Sequence, residues 1–287
     1  MVSLQEKEIK WLAGEQRLLK AGYGCVIAMY IFSILMLLKD IRISVILVNI
    51  TTVFYFVVMR GLDKKYNRDF AGISMKILCE KQMDEVTVSR KGTITSSYLS
   101  EKGLFPIRTE GGGAACGLAV VGKRGGLKTE LCDMTVCYNR DDSTNKRKVG
   151  IMTGVWMELE KKEDTDKRLV LIHKDAFESH ISPSFYERQG LSRILRPNCR
   201  LGNDYCLFAD AGTKESEAEA FVRKCRKLMD RTEKEECRLM IQDTGKSICI
   251  FLENKNLIID TPIRGKLTES MVLWDRIPEL SMALQFL

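Results

Sequence analysis

The chain has 287 residues, of which 45% are hydrophobic and 29% charged, and its formal net charge is +7. That balance is too apolar for a disordered chain, and the length is enough to bury a core without disulfides or metal. Basic residues are not interleaved with aromatic ones along any stretch, so no nucleic acid is expected among the partners.

Residues 1–20 are predicted to form an amphipathic helix. Leu4, Trp11 and Leu18 recur at intervals of seven with Leu12 and Leu19 beside them, while lysines and glutamates fill the other face. Two placements fit this stripe. The helix lies on the inner leaflet with Trp11 at headgroup depth, or it packs on the protein's own domain.

Two uncharged runs follow, Ala21 to Leu38 and Ile43 to Met59, separated by Lys39-Asp40-Ile41-Arg42. Each is near the lower limit for a membrane span, about 17–25 apolar residues. One continuous helix would carry Lys39, Asp40 and Arg42 into hydrocarbon, so a tight transmembrane hairpin over residues 21–59 is expected instead. A cleaved signal peptide fits poorly, because a polar segment precedes the first run and no small-residue site closes it. Asn49, Thr51 and Thr52 are the notable polar groups of the second run; they are placed to bond the first helix or a second copy of the chain. Lys7, Lys10, Arg17 and Lys20 precede the spans and Arg60, Lys64, Lys65 and Arg68 follow them, against only Lys39 and Arg42 between. That asymmetry predicts a multi-pass protein of the plasma (inner) membrane with both termini in the cytoplasm.

Leu62, Tyr66, Phe70, Ile73 and Ile77 keep helical spacing, so residues 60–84 are expected to form an amphipathic stalk packed on the domain that follows. Residues 85–287 then read as a cytosolic, antiparallel-sheet-rich α+β domain. Glu85 to Ser89 and Thr93 to Tyr98 look like a hairpin about Arg90-Lys91-Gly92. Further strands are expected over Leu118–Val121, Leu131–Tyr138, Val149–Leu159 and Arg168–His173, joined by short turns that favour a meander. After an irregular stretch, Ile181 to Arg200, come a strand over Asp204–Ala209 and a helix capped by Thr213 with Ala220, Cys225, Leu228 and Met229 inward. Strands over Cys237–Ile241, Ser247–Leu252 and Leu257–Asp260 follow, the first two joined by a turn at Asp243-Thr244-Gly245-Lys246. Leu273, Ile277, Leu280, Leu284 and Leu287 form one face of a final helix that Pro278 kinks or restarts.

Candidate chemistry is thin, and no catalytic, cofactor-binding or metal-ligating residue is assigned. Gly122 to Thr129 resembles a phosphate-binding loop, but Leu127 stands between Gly126 and Lys128, and a strand rather than a helix follows. Cys132 and Cys137, five apart on a strand, point to opposite faces. His173 and His180 lack a cysteine placed beside them by sequence, with Cys199 and Cys206 the nearest candidates. Asp204, Asp210, Glu215, Glu217 and Glu219 are explained by a helix N-terminus that favours negative charge. The ten scattered cysteines fit a reducing compartment.

The paired spans and stalk, Ser100-Glu101-Lys102-Gly103-Leu104-Phe105 after a strand, and Asp204 to Phe208 leading into the helix from about Lys214 to Met229 share an order of parts. That order resembles a bacterial family of membrane proteins known as domain of unknown function 3137. The resemblance covers most of the chain and implies no activity and no site residue. The function expected is a membrane-tethered interaction or scaffold module. A membrane-bound enzyme with a site assembled from distant residues and an accessory subunit of a membrane complex are the alternatives. The bilayer, an unknown protein and a second copy of the chain are the expected partners.

Overall fold

The computed structural model describes residues 4–107, 113–140, 148–176, 181, 183–194, 204–235, 237–257, 267, 272 and 278–286. The chain forms two compact units, Met1–Leu78 with Ile258–Trp274, and Cys79–Leu257 with Asp275–Leu287. The class is α+β, with two long apolar helices and a large antiparallel sheet.

In the first unit, α1 (Leu4–Leu37) is unbroken, so the segment expected as a separate interfacial helix is its first half. A turn at Leu38–Asp40 reverses the chain, and the Asp40 carboxylate accepts from the Arg42 and Ile43 amides to start α2 (Ile41–Phe54). A π turn (Tyr55–Met59) joins α2 to α3 (Arg60–Glu80) without interruption. At about 1.5 Å per residue, α1 is about 50 Å long and Ile41–Glu80 about 60 Å.

The apolar stripes of α1 and α3 meet. Leu12 and Leu19 are buried with Tyr66, Phe70, Ile77 and Val272. Lys76–Glu8 at 2.7 Å and Lys65–Glu15 at 2.5 Å set an antiparallel register between the two helices. Trp11 stays half-exposed beneath the Lys65 ammonium, 5.8 Å from its ring. Leu62, expected in the stripe, is exposed.

The second unit is built on a nine-stranded antiparallel sheet of order β1-β2-β3-β4-β9-β8-β5-β7-β6. Its strands are β1 (Asp84–Ser89), β2 (Ala114–Arg124), β3 (Leu127–Arg140), β4 (Lys148–Glu160), β5 (Leu169–His173), β6 (Leu191–Ile194), β7 (Tyr205–Asp210), β8 (Leu239–Asp243) and β9 (Ser247–Glu253). The first four form a meander, as the short turns favour, but it stops at β4: the β8–β9 hairpin inserts between β4 and β5, the strand at Leu169–His173. The central strands are apolar on both faces, and every residue of β9 is buried.

One face carries Cys132, Trp156, Val170, Phe208, Met240 and Phe251. It is covered by α4 (Ser96–Lys102), Leu104, Phe105 and Tyr186 of α5 (Pro183–Glu187). Against the other face lies α6 (Glu215–Lys234), whose buried stripe runs Ala218, Phe221, Val222, Cys225, Leu228, Met229 and Thr232. Tyr205 and Thr232 join hydroxyls across that layer at 3.3 Å. The short α7 (Pro278–Ala283) and a 3-10 turn (Leu284–Phe286) close the described chain, with Leu280, Ala283 and Leu284 buried. The helix begins at Pro278, as the fixed φ of proline at a first helical position favours.

Several elements differ from expectation. Thr93 to Tyr98 is not a strand: the Thr95 hydroxyl accepts from the Tyr98 amide and caps α4, and Gly103 ends it in the left-handed region at φ 71°. Accordingly β1 pairs with β2. Leu191–Ile194 is an edge strand inside the stretch read as irregular. At α6 the Glu217 carboxylate accepts from the Lys214 amide, while the Thr213 hydroxyl donates to Asp210 O. Ala220 is only half-buried. Leu257 is buried outside any strand, and residues 258–260, Leu273, Ile277 and Leu287 lie outside the described residues.

Glu253, at the end of β9, is buried beside Arg238. Desolvation raises its carboxyl pKa, and the Arg238 charge offsets this only in part. The folded state therefore holds the proton more tightly than the unfolded chain. Stability from this group is present below the unfolded carboxyl pKa and lost as pH rises through the folded one. Glu253→Gln is expected to raise the unfolding midpoint at pH 7 and to lose that advantage in acid. A variant less stable than the parent at pH 7 would show that the Arg238 pair outweighs desolvation.

Candidate functional site

Two places concentrate unusual chemistry, one in each unit. In the helical hairpin, polarity is inverted between residues 21 and 59. Ser33, Ser44 and Thr51 are buried, whereas Ile27, Ile31, Phe32, Ile34, Leu35, Ile46, Val53 and Val57 are exposed. The Ser44 hydroxyl donates to Ser33 O across the two helices at 2.7 Å, and Tyr30 and Thr52 share a hydrogen bond at 2.9 Å. Small hydroxyl residues let the backbones approach and tie the helices together. Both helices are long and apolar enough to cross a membrane. Met59 of the π turn packs against Gly22, where a Cβ would stand 2.7 Å from its sulfur. Within the two uncharged runs the Asn49 amide points outward instead, donating to Val45 O of its own helix.

In the sheet unit, a groove of about 220 Å³ is lined by Tyr98, Lys102, Lys128, Glu130, Glu158, Glu160, Lys246 and Ser247. Register builds it. Glu130 on β3 stands directly opposite Glu158 on β4, and Glu160 lies two residues further on the same face, opposite Ser247 on β9. Like charges paired across strands repel, and neighbouring side chains compensate them. Lys102 meets Glu158 at 2.7 Å and Ser247 at 3.2 Å, Tyr98 donates to Glu158 at 2.5 Å, and Lys128 meets Glu130 at 2.9 Å. Burial, then the Glu158 hydrogen bond, push the Tyr98 phenol pKa far above its ordinary value. Tyr98 is therefore a fixed donor at neutral pH and no base.

The groove was not assigned from sequence. The spacings Lys128-x-Glu130 and Glu158-x-Glu160 do place each pair on one strand face. Reading residues 93–98 as a strand hid the helix that brings Tyr98 and Lys102 above them.

The weaker sequence candidates fall as follows. Gly125 and Gly126, at φ 58° and 85°, form a two-residue turn between β2 and β3, so the segment from Gly122 is a hairpin. Cys132 and Cys137 lie on opposite faces of β3, the first in the core. His173 stands opposite Tyr205, rings 5.1 Å apart, while Cys206 opposes Ile172 and so points to the other face. His180 and Cys199 lie outside the described residues. Asp210 receives Arg168 in a fork, with contacts of 2.9 and 3.3 Å to one carboxylate oxygen. The Lys167 ammonium and then the Lys214 amide lower the Glu217 pKa. The described cysteines are free thiols, with Cys79, Cys132, Cys206, Cys225, Cys237 and Cys249 buried. Burial raises the Cys237 pKa to about 12, which keeps it a thiol.

No family model and no curated protein matches the chain. Among solved structures, the crystal structure of the mycobacterial trehalose monomycolate transport factor A, TtfA, aligns with a TM-score of 0.37 at 9% identity. That alignment covers 79% of this chain and 90% of the other. Agreement at that level decides neither fold nor activity.

Proposed function

We propose that this chain is a membrane-tethered interaction module whose helical hairpin crosses the bilayer at residues 21–59, leaving both ends and the sheet unit on the cytoplasmic side. The observation that carries the proposal is the inverted polarity of the hairpin. Burying Ser33, Ser44 and Thr51 while exposing isoleucine, leucine, valine and phenylalanine is costly in water and favourable in hydrocarbon. The Leu38–Asp40 turn then sits at the far headgroups, where Lys39 and Arg42 reach water. The charged halves of α1 and α3, tied by Lys76–Glu8 and Lys65–Glu15, stand on the near side.

The groove supports recognition over proton transfer, because Lys102, Tyr98 and Lys128 already hold Glu158 and Glu130 in place. Reporter fusions after Leu287 and within the Lys39–Arg42 turn are expected to report opposite sides of the membrane. Extraction of the chain by alkaline carbonate, or an external signal from Leu287, overturns the proposal.

A further inference from the structure

We propose that the hairpin pairs with a second copy of itself through the outer face of α2, with Asn49 joined to Asn49 of that copy. The proposal rests on the membrane reading above. Asn49 is two positions from the buried Thr51, hence about 200° around the helix and turned away from α1. It lies eight residues from the start of α2, about 12 Å along the axis and near the middle of the run from Ile43 to Met59. One amide N–H donates to Val45 O at 2.9 Å. The other N–H and the Oδ1 meet no partner among the described residues, and hydrocarbon offers none.

The residues flanking Asn49 define a seam. Arg42, Ile46, Asn49, Val53 and Phe56 recur at spacings of four, three, four and three, and all five are exposed. Ile46 is 57% exposed, Val53 61% and Phe56 55%. That spacing is the heptad pattern of a two-stranded helical pair, in which one asparagine at a seam position fixes register and partner number. The π turn begins at Tyr55 and shifts the helix phase, so the seam runs along α2 and ends at Phe56 in the first residues of that turn.

A second copy is the occupant the chemistry selects. Copies inserted in the same orientation present parallel α2 helices. Their Asn49 amides are self-complementary, each with one N–H to give and one oxygen to receive. The same contact also satisfies the outward Asn49 amide.

The test uses the full chain with Cys25→Ser and Val53→Cys, in phosphatidylcholine vesicles under mild oxidation, with Cys25→Ser alone as background. A disulfide-linked dimer is expected. Adding Asn49→Leu at limiting protein is expected to lower its yield about tenfold, and Asn49→Gln to restore it. Leucine suits a lipid-facing position, so the hairpin itself survives the change. Protein retained by the vesicles without a Val53→Cys crosslink, or with a crosslink indifferent to Asn49→Leu, overturns the pairing alone. Protein that alkaline carbonate washes off the vesicles overturns the anchor and the pairing together.

Discussion

Gly154→Ala is expected to destabilise the sheet unit by about 3 kcal/mol, the top of the usual range for an overpacked core. Gly154 lies in the middle of β4, opposite Met134 on β3 and Glu253 on β9. A Cβ there would stand 2.2 Å from Leu252 O and 2.8 Å from the Phe251 ring tip. The first obstacle is backbone, so β9 would have to move and strain the ladder that holds it between β4 and β8. Phe251 cannot easily withdraw, because Phe105 packs edge-on against it with ring centroids 5.1 Å apart. Gly117→Ala is the matched control: its Cβ would meet Asp133 Cβ at 3.4 Å, ordinary contact. Urea unfolding of the full chain in mild detergent should show a much lower midpoint for Gly154→Ala than for the control. Equal midpoints would mean that β4 and β9 separate at little cost.

The strands that sequence located well are those whose apolar runs are long or bounded by turn residues. Leu131–Tyr138 falls within β3, Val149–Leu159 within β4, and the Asp243 to Lys246 turn joins β8 to β9. One local signal overrode another around Thr93 to Tyr98, where β-branched residues suggested a strand. Thr95 as a cap and Gly103 as a terminator made a helix there instead. Strand order was less legible. Placing β8 and β9 between β4 and β5 depends on side-chain fit across residues far apart in the chain, which no local pattern encodes.

The groove shares that limit. Its four strand-borne charges on β3 and β4 follow from alternation, but Tyr98, Lys102 and Ser247 arrive from other elements. The inverted polarity of the hairpin was half legible. The uncharged runs are visible in sequence, but which serines and threonines face inward depends on how α1 meets α2.

Ending the chain after Leu280 is expected to unfold the sheet unit at markedly lower temperature. The truncation removes Ala283 and Leu284, both buried, and with them the second half of α7 and the turn that follows. A buried leucine cut to alanine costs about 2–5 kcal/mol, so the milder Leu284→Ala should already lower the midpoint clearly. The helix is also held by charge. Glu279 is fully buried, with Lys255 at 3.2 Å and Arg231 at 3.8 Å, and both cations also pair with Glu235. Shortening α7 to a single turn leaves Glu279 on a helix too short to persist alone. Were that carboxylate to leave, Lys255 and Arg231 would lose a buried partner, which adds to the cost. Lys227, which reaches Gln285 at 3.3 Å from α6, loses its contact as well. Thermal unfolding of the full chain and the truncated chain, followed by far-ultraviolet circular dichroism in the same detergent, measures the difference. An unchanged midpoint for both Leu284→Ala and the truncation would refute core docking of α7. The buried stripe of the tail would then be free for a protein partner.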